Sequence, residues 1–496
     1  MIVEVRAARR VAFPTYLLLI PAAIVAALLA ARAIAAWEEF AAAYAVFGAV
    51  LCVTVWRPRY GLYALVVLAL MLENQPRDQF AYWGDIAQST IATWGHISFL
   101  IFSPIELLTI VLALSVLGRA VVFRRWPAPT TLAKPLLFFL ACVAVAFAYG
   151  VLSGGTFTIA MWEVRSLVLA ALIAFLVPSL VTSTKQVEQL INVVCFAMVV
   201  LAADILIRRF TLLSGYRTGT LDLVYDHESP IFINFAVIVM AARMVWPATR
   251  LQRLAACVVP LLLVAEMVTE RRAGWVGLDM GLGVILVFAF RLRRKFFYLV
   301  GVPLLLFYGA YLVAYWNGQG TTAQPARAVR SLSSPDARDA ASNAYRLMET
   351  ANIRANIHAH PIVGLGFGHE YTFYDPLPDL SWWLFWHFEA HNTFLWLWME
   401  AGPVGFAAFL ALMGSAIVRG VHLLRRVSRM PVAPYVVGTV IGIMMVVMYT
   451  YVDLGLTSTR LAVFLGLLLG FVGAWTGGKE WIGEPGGRRA SSAVVD

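Results

Sequence analysis

Apolar runs of bilayer length recur along nearly the whole of this 496-residue chain, and they restrict its architecture more than any other feature. A hydrocarbon core takes about 17–25 consecutive apolar residues in helical form. Fourteen stretches read as spans: roughly 14–35, 40–56, 60–73, 102–120, 133–152, 163–182, 187–206, 229–246, 252–269, 273–290, 296–315, 390–416, 432–452 and 459–475. The stretch at 60–73 is the shortest, because "NQP" follows it closely. Composition agrees: 61% of residues are hydrophobic and 13% charged, where a soluble protein carries about 25% charge. The expected fold is an all-α polytopic membrane protein of about 14 transmembrane helices. Spans 1–11 fill residues 1–315, a large and partly helical loop follows at 316–389, and spans 12–14 occupy 390–476. A Gly/Ser/Ala-rich tail at 477–496 is expected to be disordered.

Lysine and arginine orient the spans, since cytoplasmic loops carry the basic excess. Placing the N-terminus inside puts 24 of the 38 basic residues on short inner connections, including Arg57, Arg59, Arg250, Arg253, Arg291, Arg293, Arg294, Lys295, Arg425 and Arg426. The net charge of +10 is therefore largely a topology signal, and both termini come out cytoplasmic. The first apolar run is as long as a span and lacks a clear A-x-A cleavage context, so it reads as a retained helix. Cys52, Cys142, Cys195 and Cys257 are well separated inside apolar runs, which points to core packing.

The outer side carries loops at about 74–101 and 207–228, the tight turn "TERRAG" at 269–274, and the insertion at 316–389. Charges at membrane depth are costly, so each is a functional candidate. Arg217, in "SGYRTGTLDLVYDHESP", reads equally as an exposed loop arginine. Arg271 and Arg272 join two apolar spans through a turn too short to let both escape easily to water. Paired guanidinium forks suit a diphosphate, because they bind phosphate oxygens bidentately and never deprotonate. Snorkelling to lipid headgroups is the plainer alternative. Arg346 and Arg354 stand about two helical turns apart in "YRLMETANIRANIHAH" and can share a face.

Gly364, Gly366 and Gly368 look superficially like a dinucleotide fingerprint, but no strand precedes them, so no such cofactor is implied. A tight turn with close backbone approach to a substrate fits better. "HNTFLWLWMEAG" then opens the twelfth span. Helix capping explains Asn392 or Thr393 but not His391, whose imidazole can serve as a general base. Glu400 falls about half a turn out of phase with His391 and reads as an interhelix contact. Trp386 belongs to the aromatic stretch "WWLFWHFEAH", which suits either sugar stacking or a membrane-interface belt. With no H-E-x-x-H and no D-x-D motif on the outer loops, no metal site is implied.

Together these residues resemble the O-antigen ligase and polymerase superfamily of bacterial membrane glycosyltransferases. "TERRAGWVGL" is similar to the family's short outer turn, with Arg272 as the matching arginine. "ANIRANIHAHPIVGLGFG" followed by "HNTFLWLWMEAGPVGF" resembles its block of Pro-x-x-Gly-x-Gly, His-Asn and Glu-x-Gly-x-x-Gly, and "YRTGT" resembles the arginine after the seventh span. The resemblance implies an inner-membrane enzyme that moves a glycan from an undecaprenyl diphosphate donor to an acceptor hydroxyl at the periplasmic face. The acceptor is lipid A-core in the ligases and a lipid-linked glycan in the polymerases. By the same resemblance Arg217 and Arg272 hold the diphosphate, His391 activates the acceptor, and the anomeric carbon inverts without a metal. More spans than the ligases commonly carry favours a polymerase of O-antigen or exopolysaccharide, or a divergent branch of the family. A transporter of lipid-linked glycan or a small anion is the competing class, and a scaffold of a polysaccharide export complex a third.

Overall fold

The computed structural model describes residues 41–71, 103–124, 128, 130–211, 213–214, 227–318, 320–380 and 385–476. The first expected span, the outer loop at 74–101, Arg217 and the tail from 477 lie outside these residues. The described residues form helices and no strand. In hydrocarbon the backbone must pair within the protein, and a helix does so inside one segment.

In chain order the helices are α1 (Ala41–Trp56), α2 (Pro58–Met71), α3 (Pro104–Phe123), α4 (Ala133–Leu152), α5 (Phe157–Leu180) and α6 (Thr184–Phe210). Next come α7 (Ser229–Val245), α8 (Arg250–Thr269, tightened to a 3-10 turn at Ala255–Val258), α9 (Arg272–Leu292) and α10 (Arg294–Ala314). Two polar-loop helices follow, α11 (Gln324–Arg330) and α12 (Ala337–Ala359), before α13 (Thr393–Val427), α14 (Ala433–Val452) and α15 (Thr459–Trp475). Thirteen of the fourteen expected spans thus fall on helices. Among the described residues, nine helices are long and apolar enough to cross a membrane: α3 to α6, α8 to α10, α13 and α14. The apolar helices at Val46–Trp56, α2, α7 and α15 are shorter.

Helix starts follow local capping chemistry. Ser103 accepts from the Glu106 amide at 3.3 Å while its own amide donates to the Glu106 carboxylate at 2.7 Å, and Pro104 sets the first turn. Thr249 with Gln252 repeats the arrangement at α8, and Ser458 caps α15.

The short helices α7 and α15 lie in the interior, buried along nearly their whole lengths. Small residues make this possible. A Cβ at Gly466 would stand 2.5 Å from the Ala170 carbonyl of α5, and one at Gly470 would stand 2.5 Å from Val177 Cβ. Arg460, buried in the first turn of α15, donates to the Ala69 carbonyl at 2.9 Å and to that of Leu70. It thereby meets carbonyls that the end of α2 leaves without helical partners. By contrast α10 is peripheral, with Leu299, Leu306 and Phe307 all exposed. Of the cysteines Cys195 is buried, Cys52 and Cys142 are half-buried, and Cys257 is exposed, so the expected core role does not extend to Cys257.

The expected span at 390–416 becomes a helix running to Val427, broken at Gly402 (φ 65°, ψ −179°) just ahead of Pro403. Pro403 has no amide to give the Met399 carbonyl. Leu365 supplies one instead at 2.7 Å, and Gly366 donates to the Glu400 carbonyl at 3.0 Å. Gly364 (φ 83°) allows this approach, since a Cβ there would lie 2.5 Å from the Met399 carbonyl oxygen. The segment 361–368 is therefore pinned to the break in α13.

Candidate functional site

At one end of the bundle α12 lies beside the start of α13 and above the α8–α9 turn. The turn is made by Glu270, which ends α8 in the left-handed conformation (φ 57°), and by extended Arg271. Each residue of the turn has a partner. Glu270 pairs with Arg338 of α12 at 3.4 Å, and Arg271 Nη2 donates to His227 Nε2 at 3.3 Å. Arg272, the first residue of α9, donates to Asn343 Oδ1 at 3.1 Å and lies 3.4 Å from Asp339 Oδ1. The two arginines therefore face the loop helix and the chain ahead of α7.

His391 sits two residues before α13. Its backbone amide donates to Glu349 Oε2 at 2.9 Å, and its Nδ1 lies 3.1 and 3.2 Å from the two Glu349 oxygens. Glu349 is 1% exposed and can be satisfied as an anion only by such donors. That contact assigns the proton to Nδ1 and leaves the Nε2 lone pair as the basic one. The Tyr345 ring meets the imidazole edge-on, with centroids 5.6 Å apart. Burial works against the imidazolium, but the Glu349 hydrogen bond and charge outweigh it, with help from Asp453, and raise the His391 pKa above its ordinary value. Burial and the charge of Glu349 also hold the Tyr345 hydroxyl protonated, its pKa pushed up to about 12.

Asp453, between α14 and α15, links the remaining charges. Its Oδ2 lies 3.4 Å from Arg346 Nη2 and 3.8 Å from His227 Nδ1. Burial alone would favour its neutral form, yet His227, Arg346 and His391 hold it well below the usual carboxylate range. Beside it Glu228 is raised by burial, against a hydrogen bond from Ser458. Glu389 is pushed up to about 7 by burial, against one from Thr457. His391 thus pairs with Glu349, while Arg346, Asp453, His227 and Arg271 form a chain of contacts beside that pair.

Other expected site residues lie as follows. Asn392 caps α13, accepting from the Leu395 amide at 3.1 Å. Thr393 is buried and donates to the Thr450 carbonyl at 2.7 Å. Arg346 is in the cluster, while Arg354, two turns on, is exposed. Trp386 is half-buried against Phe373 (centroids 5.2 Å apart), which stacks on His387 at 4.4 Å. Gly366 (φ 82°) abuts Gly150 of α4, so the chain's own backbone occupies the close approach that this glycine permits. Glu400 is fully buried, and neither carboxylate oxygen has a hydrogen-bond partner among the described residues, so the expected interhelix polar contact is not seen there. Three cluster members were not read from sequence: Glu349, His227 and Asp453. Asp453 carries the clearest signal, as an acid between two apolar spans.

The described residues form an all-helical fold of membrane type that carries a histidine paired with a carboxylate beside a group of half-buried arginines. Residues 255–410 match the family model of the O-antigen ligases. The match supports membership of the O-antigen ligase and polymerase superfamily, and this stretch holds Arg271, Arg272, Arg346, Glu349 and His391. Among the described residues, nine helices long and apolar enough to cross a membrane accompany that match and suit a multi-pass membrane protein. No curated protein matches the chain.

Proposed function

We propose that this protein transfers a glycan from an undecaprenyl diphosphate donor to an acceptor hydroxyl at the periplasmic face of the bacterial inner membrane, with both termini cytoplasmic. The observation that carries the reading is His391, its Nδ1 held by Glu349 and its Nε2 without a hydrogen-bond partner among the described residues. In the proposed step His391 Nε2 takes the proton of the acceptor hydroxyl. The acceptor oxygen bonds to the anomeric carbon from the face opposite the leaving group. The bond between that carbon and the diphosphate oxygen breaks, its electron pair stays on the diphosphate, and the configuration inverts. The new imidazolium is stabilised by Glu349, as a carboxylate orients and supports a catalytic histidine elsewhere.

Arg271 and Arg272 supply positive charge where the diphosphate leaves, which favours the transition state over the ground state. Arg217 joins them by family resemblance alone. The half-buried ring of Trp386, next to Phe373, offers a face for a sugar of the acceptor or donor. The test is product formation by purified protein from a lipid-linked glycan donor. His391→Ala is expected to lower the rate by about 100-fold or more, the usual size of a general-base contribution. Full-rate synthesis by that variant would remove the proposed base, and no synthesis by the wild type would remove the enzyme reading.

A further inference from the structure

Arg272 must be available to a ligand if it is to hold a diphosphate, yet it already faces a buried acid. Asp339 is 4% exposed, and a carboxylate at that depth is stable only while it is paired. Its contact with Arg272 is single and long, at 3.4 Å. Its contact with Arg327 is a two-point fork: Arg327 Nη2 lies 3.0 Å from Oδ1 and Nε lies 3.2 Å from Oδ2. Arg327 Nε also reaches Asp336 Oδ2 at 3.0 Å. Parallel guanidinium–carboxylate contacts of this kind are the strong ones, and single contacts the weak ones.

From this asymmetry we infer that Arg327 is a positioning residue for the donor: it keeps Asp339 satisfied, so that Arg272 can turn from Asp339 to the donor's diphosphate. The inference rests on the proposed function and deepens it. With Arg327 in place, a diphosphate that takes Arg272 leaves Asp339 still paired. Without Arg327, Arg272 becomes the cation left beside Asp339, and the diphosphate must compete with a buried carboxylate for it. Asn343 remains a neutral partner of Arg272 in either case and adds no charge to that competition. Arg327 itself lies on α11, which packs against α9, so it is placed to act on Asp339 without touching substrate.

The test uses the full chain in detergent micelles and undecaprenyl diphosphate as the probe, with affinity measured for four forms. Arg327→Gln is expected to weaken binding by about tenfold, the scale of coupling between groups in direct contact. Asp339→Asn added to Arg327→Gln is expected to restore affinity to near the wild-type value, because the competing anion is gone. Asp339→Asn alone is expected to bind at least as well as the wild type. A purely structural role for Arg327 would instead make the double variant no better than Arg327→Gln, with both melting early. Wild-type affinity in a folded Arg327→Gln protein, or failure of Asp339→Asn to rescue it, overturns the inference. A wild type that binds no undecaprenyl diphosphate overturns the donor reading and takes the inference with it.

Discussion

Glu349 controls two properties of His391 at once, the tautomer and the proton affinity. Its hydrogen bond and charge raise the imidazole pKa against the effect of burial, so the base is neutral only at higher pH. The rate should therefore climb with pH through a midpoint above the ordinary imidazole value of 6.5. Glu349→Gln removes the main raising influence and leaves burial, which lowers the pKa, opposed by Asp453 alone. The acid limb of kcat/KM should move to lower pH while the maximum falls by about tenfold or more, as an orienting partner is lost. An unshifted limb in this variant would separate Glu349 from the base. Sequence made Arg271 and Arg272 legible because arginines at span ends stand out from an apolar background. Glu349 did not stand out, since "DARDAASNAYRLMET" holds three acids and only packing shows that Glu349 is the one that meets His391.

Among the elements, α13 and the segment 361–368 show how two glycine-rich motifs, separated in sequence, form one joint. Gly402 breaks the helix, Pro403 withholds an amide, and Leu365 and Gly366 fill the carbonyls exposed by the break. Gly402→Ala should lower thermal stability by about 1–3 kcal/mol, the scale of forcing a side chain into a strained conformation. Its Cβ would meet the Ile362 carbonyl oxygen at 2.8 Å, besides sitting at positive φ. Gly414→Ala, on the same helix but facing open space, should be neutral or stabilising by up to about 1 kcal/mol. Equal melting of the two variants in detergent would contradict the joint. The span positions were legible because hydropathy fixes them. The break, the extension of α13 to Val427 and the partners of the glycines were not, since each depends on which backbone lies alongside.

For the whole molecule, the family match and the charged cluster support one class of chemistry, and the acceptor distinguishes its members. Deleting the protein from its host should change the glycan profile in one of two ways. Single capped repeat units would identify a polymerase, and accumulated long lipid-linked chains would identify a ligase. An unchanged profile would contradict both. Thirteen of the fourteen expected stretches fall on helices, nine of them long and apolar enough to cross a membrane, and the first lies outside the described residues. The joint at Gly402 also sets an alignment tolerance for the whole molecule. His391 and Glu349 belong to different segments, and the proton-accepting geometry survives only while those segments keep register. Asn352 and Asn356 of α12 each grip a backbone position of the chain at 372–375 through paired contacts of 2.7–3.0 Å. That chain leads from the joint to His391, so the loop helix, the aromatic stretch and α13 are keyed together like parts of one jig. If the proposed transfer takes place, a long glycan product would then drag on the loop as a whole without pulling His391 away from Glu349.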